Sequence, residues 1–194
     1  ARLRDEHDRA ATRLAGDGDA AVADRQALED ARARTTAWTF AREDFGAVQP
    51  GLRRIYRQGR RRMHAAQADP TAENLHHARK RVKDLWHATR LLRPAAPKRM
   101  KRFAREAHEL ADLLGDHHDL SVLRAYVEQH PQTIADTASR DALLAALDER
   151  RDELARRALK LGRRVYRRTP RRFVKAVGRG WRKRVGEPQQ AGAR

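Results

Sequence analysis

The stretch from Leu75 to Arg93 carries two adjoining stripes of side chains and constrains the fold more than any other segment. At ~100° per residue, a helix places six mainly apolar side chains within one arc of ~100° and six basic side chains within a neighbouring arc. The first set is Leu75, Ala78, Val82, Leu85, Thr89 and Leu92, and the second is His76, Arg79, Lys80, Lys83, His87 and Arg90. One face is therefore expected to pack in a core. The adjoining face contains no carboxylate and suits a polyanion.

The composition supports an anionic partner. The 194 residues include 44 Lys and Arg against 26 Asp and Glu, which gives a formal net charge of +18. Such an excess costs stability through self-repulsion unless an anion relieves it. Nucleic acid, an anionic membrane surface and inorganic phosphate polymers are the candidates. The absence of cysteine excludes disulfides, thiol catalysis and thiolate metal sites, and it suits a reducing cytoplasm.

Helix formers dominate the chain and strand formers are scarce, so we predict an all-α fold of antiparallel helical bundles. Trp38–Gln49 is predicted as a connector, and Pro50 is predicted in the first turn of the helix that follows. Gly115 is predicted to end one helix and Asp116 to cap the next, with Asp119 completing a capping box. The predicted helices span residues 2–15, 20–37, 51–67, 71–93, 98–114, 116–130, 139–165 and 171–184.

Two further helices carry basic stripes beside their apolar faces. In the predicted helix 51–67 the stripe contains Arg53, Arg54, Arg57, Arg61 and His64. In the predicted helix 98–114 it contains Lys98, Lys101, Arg102, Arg105 and His108, although Glu109 and Asp112 interrupt it. Short loops favour antiparallel packing of neighbouring helices. If the apolar stripes of the three helices pack together, their basic stripes line one shared groove.

Four segments resemble the CHAD family, the conserved histidine α-helical domain. They are the basic helix Leu75–Trp86, the stretch Glu109–Leu123, the lead-in Gly51–Arg57 and the terminal stretch Tyr166–Phe173 with Trp181. The resemblance implies an all-helical domain of two pseudo-symmetric bundles, whose basic central cavity binds inorganic polyphosphate without catalysis. It also implies that His76 is the signature histidine, with Arg79, Lys80 and Lys83 as basic companions, and that His118 lies at a variable position of the second motif.

The chain departs from the family pattern because only one of two expected copies of the basic helix is present. We therefore predict that residues 1–49 close a first, incomplete bundle, that residues 50–184 form a CHAD-like bundle, and that residues 185–194 are a disordered tail. Two alternatives stay open for the missing half: the chain is truncated, or a partner chain, including a second copy of this one, supplies it.

These patterns predict a cytoplasmic, non-catalytic module that binds polyphosphate in a basic groove, targets polyphosphate granules, and needs no metal or cofactor. A nucleic-acid-binding protein is the second hypothesis. Aromatic residues make up only 5% of the chain, and no DNA-binding motif is present, which disfavours it. The predicted polyphosphate-binding residues are His76, Arg79, Lys80, Lys83, Arg90, Arg53, Arg54, Arg57, Arg61, Lys101, Arg102, Arg105, His108 and His118.

Three other features of the sequence do not change these predictions. Trp86 and Trp181 are predicted as packing residues. The run Asp116-His117-His118-Asp119 invites a metal-dependent phosphohydrolase as a third hypothesis, but its spacing matches no known zinc pattern. The basic amphipathic stretch 171–184 is typical of membrane-surface helices, yet the resemblance makes it a docking helix, so no membrane partner is expected.

Overall fold

The computed structural model describes residues 18–39, 42, 44–93, 97–134 and 136–185. Over these residues the chain forms six α-helices, one short 3-10 turn (Pro131–Thr133) and no strand, which confirms the all-α class. The helices are α1 (Gly18–Thr36), α2 (Phe45–Ala68), α3 (Ala72–Leu91), α4 (Pro97–Gln129), α5 (Thr137–Val165) and α6 (Pro170–Val185).

The chain divides into two compact units, Ala1–Glu43 and Asp44–Arg194. In the first unit, α1 lies close to its predicted range of 20–37, and Val22 and Leu28 on it are exposed. The predicted helix 2–15 lies outside the described residues, as does the predicted tail apart from Val185, the last residue of α6. The predicted domain organisation remains a prediction.

The second unit begins with α2, which starts earlier than predicted. The connector predicted up to Gln49 is wrong from Phe45 onward, and Pro50 lies inside the helix instead of in its first turn. Asp44 caps the helix by accepting a hydrogen bond from the Gly46 N–H at 2.7 Å. Phe45 is buried, with its ring centroid 5.7 Å from that of Trp181 on α6. The cap and this burial together offset the backbone hydrogen bond that proline cannot donate.

α4 is one continuous helix of 33 residues, so the predicted break at Gly115 is wrong. No described residue has a positive φ angle, and Gly115 therefore does not form the left-handed C-cap that the sequence suggested. Gly115 is instead buried against α3, where an added Cβ would lie 3.4 Å from Arg79 Nε. Asp116 and Asp119 accordingly lie in mid-helix and cap nothing.

The core of the second unit lies between α2, α3, α4 and α5, and α6 adds Phe173, Val174 and Val177 to it while packing on α2. Three pairs of contacts show that α3 and α4 are antiparallel: His76 meets His118, Arg79 meets Gly115 and Trp86 meets His108. The largest fully buried side chains include Tyr56, Met63, Leu75, Leu85, Met100, Leu110, Leu114 and Leu154.

A polar network ties α4 to α5. Arg124 Nε donates to Asp148 Oδ1 at 2.8 Å, and Arg151 Nη1 donates to the same oxygen at 2.7 Å. Arg151 Nε also donates to Ser121 Oγ at 3.0 Å. Asp148 is therefore shared by two guanidinium groups, and these bonds hold the pKa of its carboxyl below the usual range.

Candidate functional site

The sequence places the basic stripe of α3 at the edge of its contact with α4. Thr71 begins the helix as predicted, because its hydroxyl accepts a hydrogen bond from the Asn74 N–H at 3.3 Å. From that start, Leu75, Val82 and Leu85 turn into the core. The basic side chains, about a third of a turn away, are left beside α4 or in solvent.

Two adjoining cavities, of about 610 and 400 Å³, lie along this contact and share Trp86, His108, Asp112 and Asp116. We call them together the α3–α4 cleft. Its charged and aromatic lining comes from α3, the residue just after it, α4 and α5. These residues are Arg79, Lys83, Trp86, Arg90 and Arg93, then Lys101, Arg105, His108, Glu109, Asp112, Asp116 and Asp119, and finally Arg157.

The cleft brings together six of the predicted residues: Arg79, Lys83, Arg90, Lys101, Arg105 and His108. Its lining is mixed in sign, because α4 contributes four carboxylates against seven Lys and Arg side chains. One carboxylate is already engaged, since His108 Nδ1 lies 2.8 Å from Asp112 Oδ2. The cations therefore outnumber the carboxylates, and the α3 side of the cleft carries only basic charge.

Trp86 lies at the junction of the two cavities, and its ring is surrounded by basic side chains. The guanidinium carbon of Arg90 lies 5.1 Å from the ring centroid, within the range of a cation–π interaction. The ring of His108 lies 4.5 Å away across the cleft, and that of His87 lies 4.6 Å away. Trp86 is half-buried. Besides packing, it therefore fixes the position of two of the predicted binding residues.

The histidines at the other end of α3 form a close pair. The ring centroids of His76 and His118 are 4.3 Å apart, and His76 Nδ1 is buried with no hydrogen-bond partner among the described residues. Burial lowers the pKa of His76, and the neighbouring His118, Lys80 and Arg79 lower it further. Because these neighbours are cations or become cations, an anion placed here reverses the effect and favours the imidazolium form.

His117, next to His118 on α4, points into the protein and is only 4% exposed. Its burial lowers its pKa, and the charge of Arg151 adds to the effect. Its place among buried residues indicates a structural role.

The other predicted residues lie elsewhere. Lys80 is exposed on α3 and lines neither cavity of the cleft. The four arginines of α2 (Arg53, Arg54, Arg57 and Arg61) are exposed and also line neither cavity. Arg102 faces a different cavity, between α4, α5 and α6. Whether these residues bind an anion remains a prediction, and the helical wheel alone did not separate them from the cleft residues.

Sequence reasoning missed two cations of the cleft. Arg93 follows the end of α3, and Arg157 is contributed by α5. Arg93 falls at the same angle of a 100° helical wheel as the apolar Leu75, so the periodic pattern did not assign it to the basic stripe. Arg157 was not indicated either, because α5 shows no stripe that singles out this position, and only the packing of α5 against α4 brings it here.

No group of three or more His, Cys, Asp or Glu side chains within the described ranges is arranged to hold a metal ion. Among the helices of the described chain, none has both the length and the apolar character needed to cross a bilayer.

Comparison with known proteins gives one family. A model of the CHAD domain matches residues 1–128, about two thirds of the chain. The matched part includes α3 and nearly all of α4, whereas α5, α6 and the stretch Tyr166–Phe173 lie beyond it. Searches of curated proteins and of solved structures found no match.

Proposed function

The chain belongs to the CHAD family, and from this premise we propose that it is a non-catalytic module that binds inorganic polyphosphate in the α3–α4 cleft. The observation that carries the proposal is the convergence of cations from separate helices on that cleft. Arg79, Lys83 and Arg90 come from α3, and Lys101 and Arg105 come from α4. Targeting to polyphosphate granules would follow from such binding.

The charge balance favours a linear polyanion. Lys83 and Arg90 are exposed, and in isolation like-charged neighbours on a helix repel each other by a few tenths of a kcal/mol per pair. A phosphate chain along α3 turns this repulsion into charge-assisted hydrogen bonds, in which arginine grips two oxygens and lysine acts as a movable point charge. The stripe from His76 to Arg90 is roughly 21 Å long at ~1.5 Å per residue, which suits a chain better than a single phosphate.

The carboxylates of α4 restrict where the chain lies. Asp116 and Asp119 face the Arg79 end of the cleft, and both are exposed. The end near Lys101 and Arg105 has fewer carboxylates relative to cations. A polyphosphate chain is therefore expected to contact only α3 at the Arg79 end of the cleft and to contact both α3 and α4 at the Lys101 end.

The test is charge reversal at the two exposed cleft cations, Lys83→Glu with Arg90→Glu. We expect at least a tenfold loss of affinity for long-chain polyphosphate at moderate salt, because two charge-assisted contacts become repulsive. Fluorescence anisotropy with labelled polyphosphate measures the affinity, and circular dichroism checks that the helix content is unchanged. The matched control is Arg156→Glu with Arg163→Glu, two exposed arginines of α5 that do not line the cleft. Wild-type affinity in the double variant contradicts the proposal.

A second pair of variants asks how far the binding surface extends. Arg53→Glu with Arg57→Glu reverses the same number of charges on α2, outside the cleft. We expect a smaller loss than from the α3 pair, because these residues would act through the overall field and not through direct contact. An equal or larger loss would move the binding surface to α2.

The nucleic-acid hypothesis is separated by competition. Duplex DNA and long-chain polyphosphate are offered at matched phosphate concentration to the same labelled complex. Polyphosphate is expected to compete more strongly, since a cleft between packed helices suits a thin flexible chain better than a duplex. Stronger competition by DNA would favour a nucleic-acid-binding protein.

A further inference from the structure

A third cavity, of about 340 Å³, lies between α4, α5 and α6 and shares no lining residue with the α3–α4 cleft. Most of it is built by the part of the chain beyond residue 128, where the family match ends. Its charged lining consists of Arg102, Glu106, Arg164, Arg167 and Arg168, and its apolar lining of Met100, Phe103, Val165, Phe173, Ala176 and Val177. Arginines thus surround a largely aromatic and aliphatic floor.

The single carboxylate of this cavity, that of Glu106, already pairs with two of the arginines. Arg102 Nε lies 4.0 Å and Arg164 Nε lies 3.8 Å from Glu106 Oε1, and the Glu106 side chain is only 18% exposed. Arg167 and Arg168 form no ion pair with any described residue of the chain. The cavity therefore keeps an excess of positive charge at its Arg167–Arg168 side.

The apolar floor is fixed in place by aromatic packing. The ring centroid of Phe103 lies 5.0 Å from that of Phe173, which in turn stacks on Tyr56 at 4.0 Å. The Tyr56 hydroxyl donates to the Val165 carbonyl at 3.1 Å. Phe173 is almost fully buried, whereas Phe103 is only partly buried and offers its remaining surface to the cavity. A ligand ring would meet a surface that does not need to rearrange.

We propose that this cavity binds a small organic phosphate, with the phosphate held by Arg167 and Arg168 and a flat apolar group resting on Phe103. Pockets for small ligands combine apolar surface with a few convergent polar groups, and in this cavity the exposed lining is more polar than apolar, which suits a ligand that carries a phosphate. The volume suffices for one or two rings, since a cavity of roughly 150 Å³ already admits benzene. A doubly charged phosphate matches the surplus of guanidinium groups better than a carboxylate does.

The experiment compares three probes by isothermal titration calorimetry on the whole chain: 1-naphthyl phosphate, inorganic phosphate and 1-naphthoate. We expect 1-naphthyl phosphate to bind about tenfold more tightly than either of the others, because only it uses both the arginines and the floor. Arg167→Gln with Arg168→Gln should weaken its binding by about tenfold. Phe103→Leu should reduce the ratio of the affinity for 1-naphthyl phosphate to the affinity for inorganic phosphate.

Two controls separate this site from the proposed polyphosphate cleft. Arg163→Gln changes an exposed arginine of α5 that does not line the cavity, and it should leave 1-naphthyl phosphate binding unchanged. Arg90→Gln, in the cleft, should weaken polyphosphate binding and leave 1-naphthyl phosphate binding unchanged. The inference is overturned if 1-naphthyl phosphate binds no better than inorganic phosphate. It is also overturned if Arg90→Gln weakens 1-naphthyl phosphate binding while the Arg167 and Arg168 changes do not.

Discussion

His76 links the proposed binding of polyphosphate to pH. Its pKa is lowered in the unliganded protein by burial and then by His118, Lys80 and Arg79. A polyanion beside these cations favours the imidazolium form, so binding is coupled to proton uptake. We expect the affinity for polyphosphate to rise as the pH falls from about 8 to about 6, by up to tenfold for each unit by which the pKa recovers. Calorimetry in buffers of different ionisation enthalpy measures the protons taken up.

The variant His76→Gln should lose much of this proton uptake, and His64→Gln, at an exposed histidine of α2, serves as the matched control. Affinity that is constant between pH 8 and 6 would contradict the role of His76.

The stability of the unliganded protein should change with pH in the opposite direction to the affinity. The pKa values of His76 and His117 are both lowered by folding, so the unfolded chain binds more protons once the pH falls below about 6.5. Without ligand, the free energy of unfolding should therefore fall with the pH in that range.

At this scale the sequence indicated the face on which a residue lies but not its neighbour across the cleft. For Trp86 a packing role was predicted. The structure adds Arg90 over its ring and His108 beside it. That contact depends on the register between α3 and α4, which helical periodicity does not contain.

The helices themselves were largely predictable where local signals agreed with burial. α3 begins directly after the predicted start at Thr71, α5 ends at the predicted Val165, and α6 begins at Pro170, next to its predicted start at Arg171. Gly115 misled the prediction because glycine disfavours a helix interior by only about 1 kcal/mol. Close packing against α3 outweighs that cost. The early start of α2 was also not predicted, because it is stabilised by a contact between Phe45 and Trp181, two residues that are far apart in the sequence.

The approach of α2 to the end of α5 depends on the small size of Gly59. A Cβ at this position would overlap the side chain of Tyr166, which is buried between α2 and α5. We expect Gly59→Ala to lower the free energy of unfolding by about 1–3 kcal/mol, the usual cost of overpacking. Urea denaturation followed by circular dichroism measures the change.

Gly51 provides the matched control on the same helix. An added Cβ there meets nothing within 4 Å, so Gly51→Ala should raise the free energy of unfolding by about 0.5–1 kcal/mol through the better helix propensity of alanine. If both variants change stability in the same direction, the close approach at Gly59 does not limit the packing of α2.

For the whole molecule, the net charge of +18 predicts an anionic partner but not which surface would contact it. Three basic stripes were expected to line one groove. The α3–α4 cleft collects part of two of them, together with Arg93 and Arg157, while the α2 arginines and Arg102 lie outside it. Each stripe follows from the sequence of one helix, whereas their relative placement depends on how the helices pack.

The number of cations that contact polyphosphate can be read from the salt dependence of binding. A flexible polyanion releases counterions in proportion to the phosphates neutralised, and the value for single-stranded nucleic acid gives a slope of about −0.7 for each one in a plot of log affinity against log salt. If all seven Lys and Arg side chains of the cleft are used, the slope is close to −5. Lys83→Glu with Arg90→Glu should make it shallower by at least about 1.4, whereas Arg53→Glu with Arg57→Glu should change it little. Anisotropy titrations between about 50 and 200 mM salt resolve these differences. Equal changes of the slope in both double variants would mean that polyphosphate is held by the electrostatic field of the whole protein and not by contacts in the cleft.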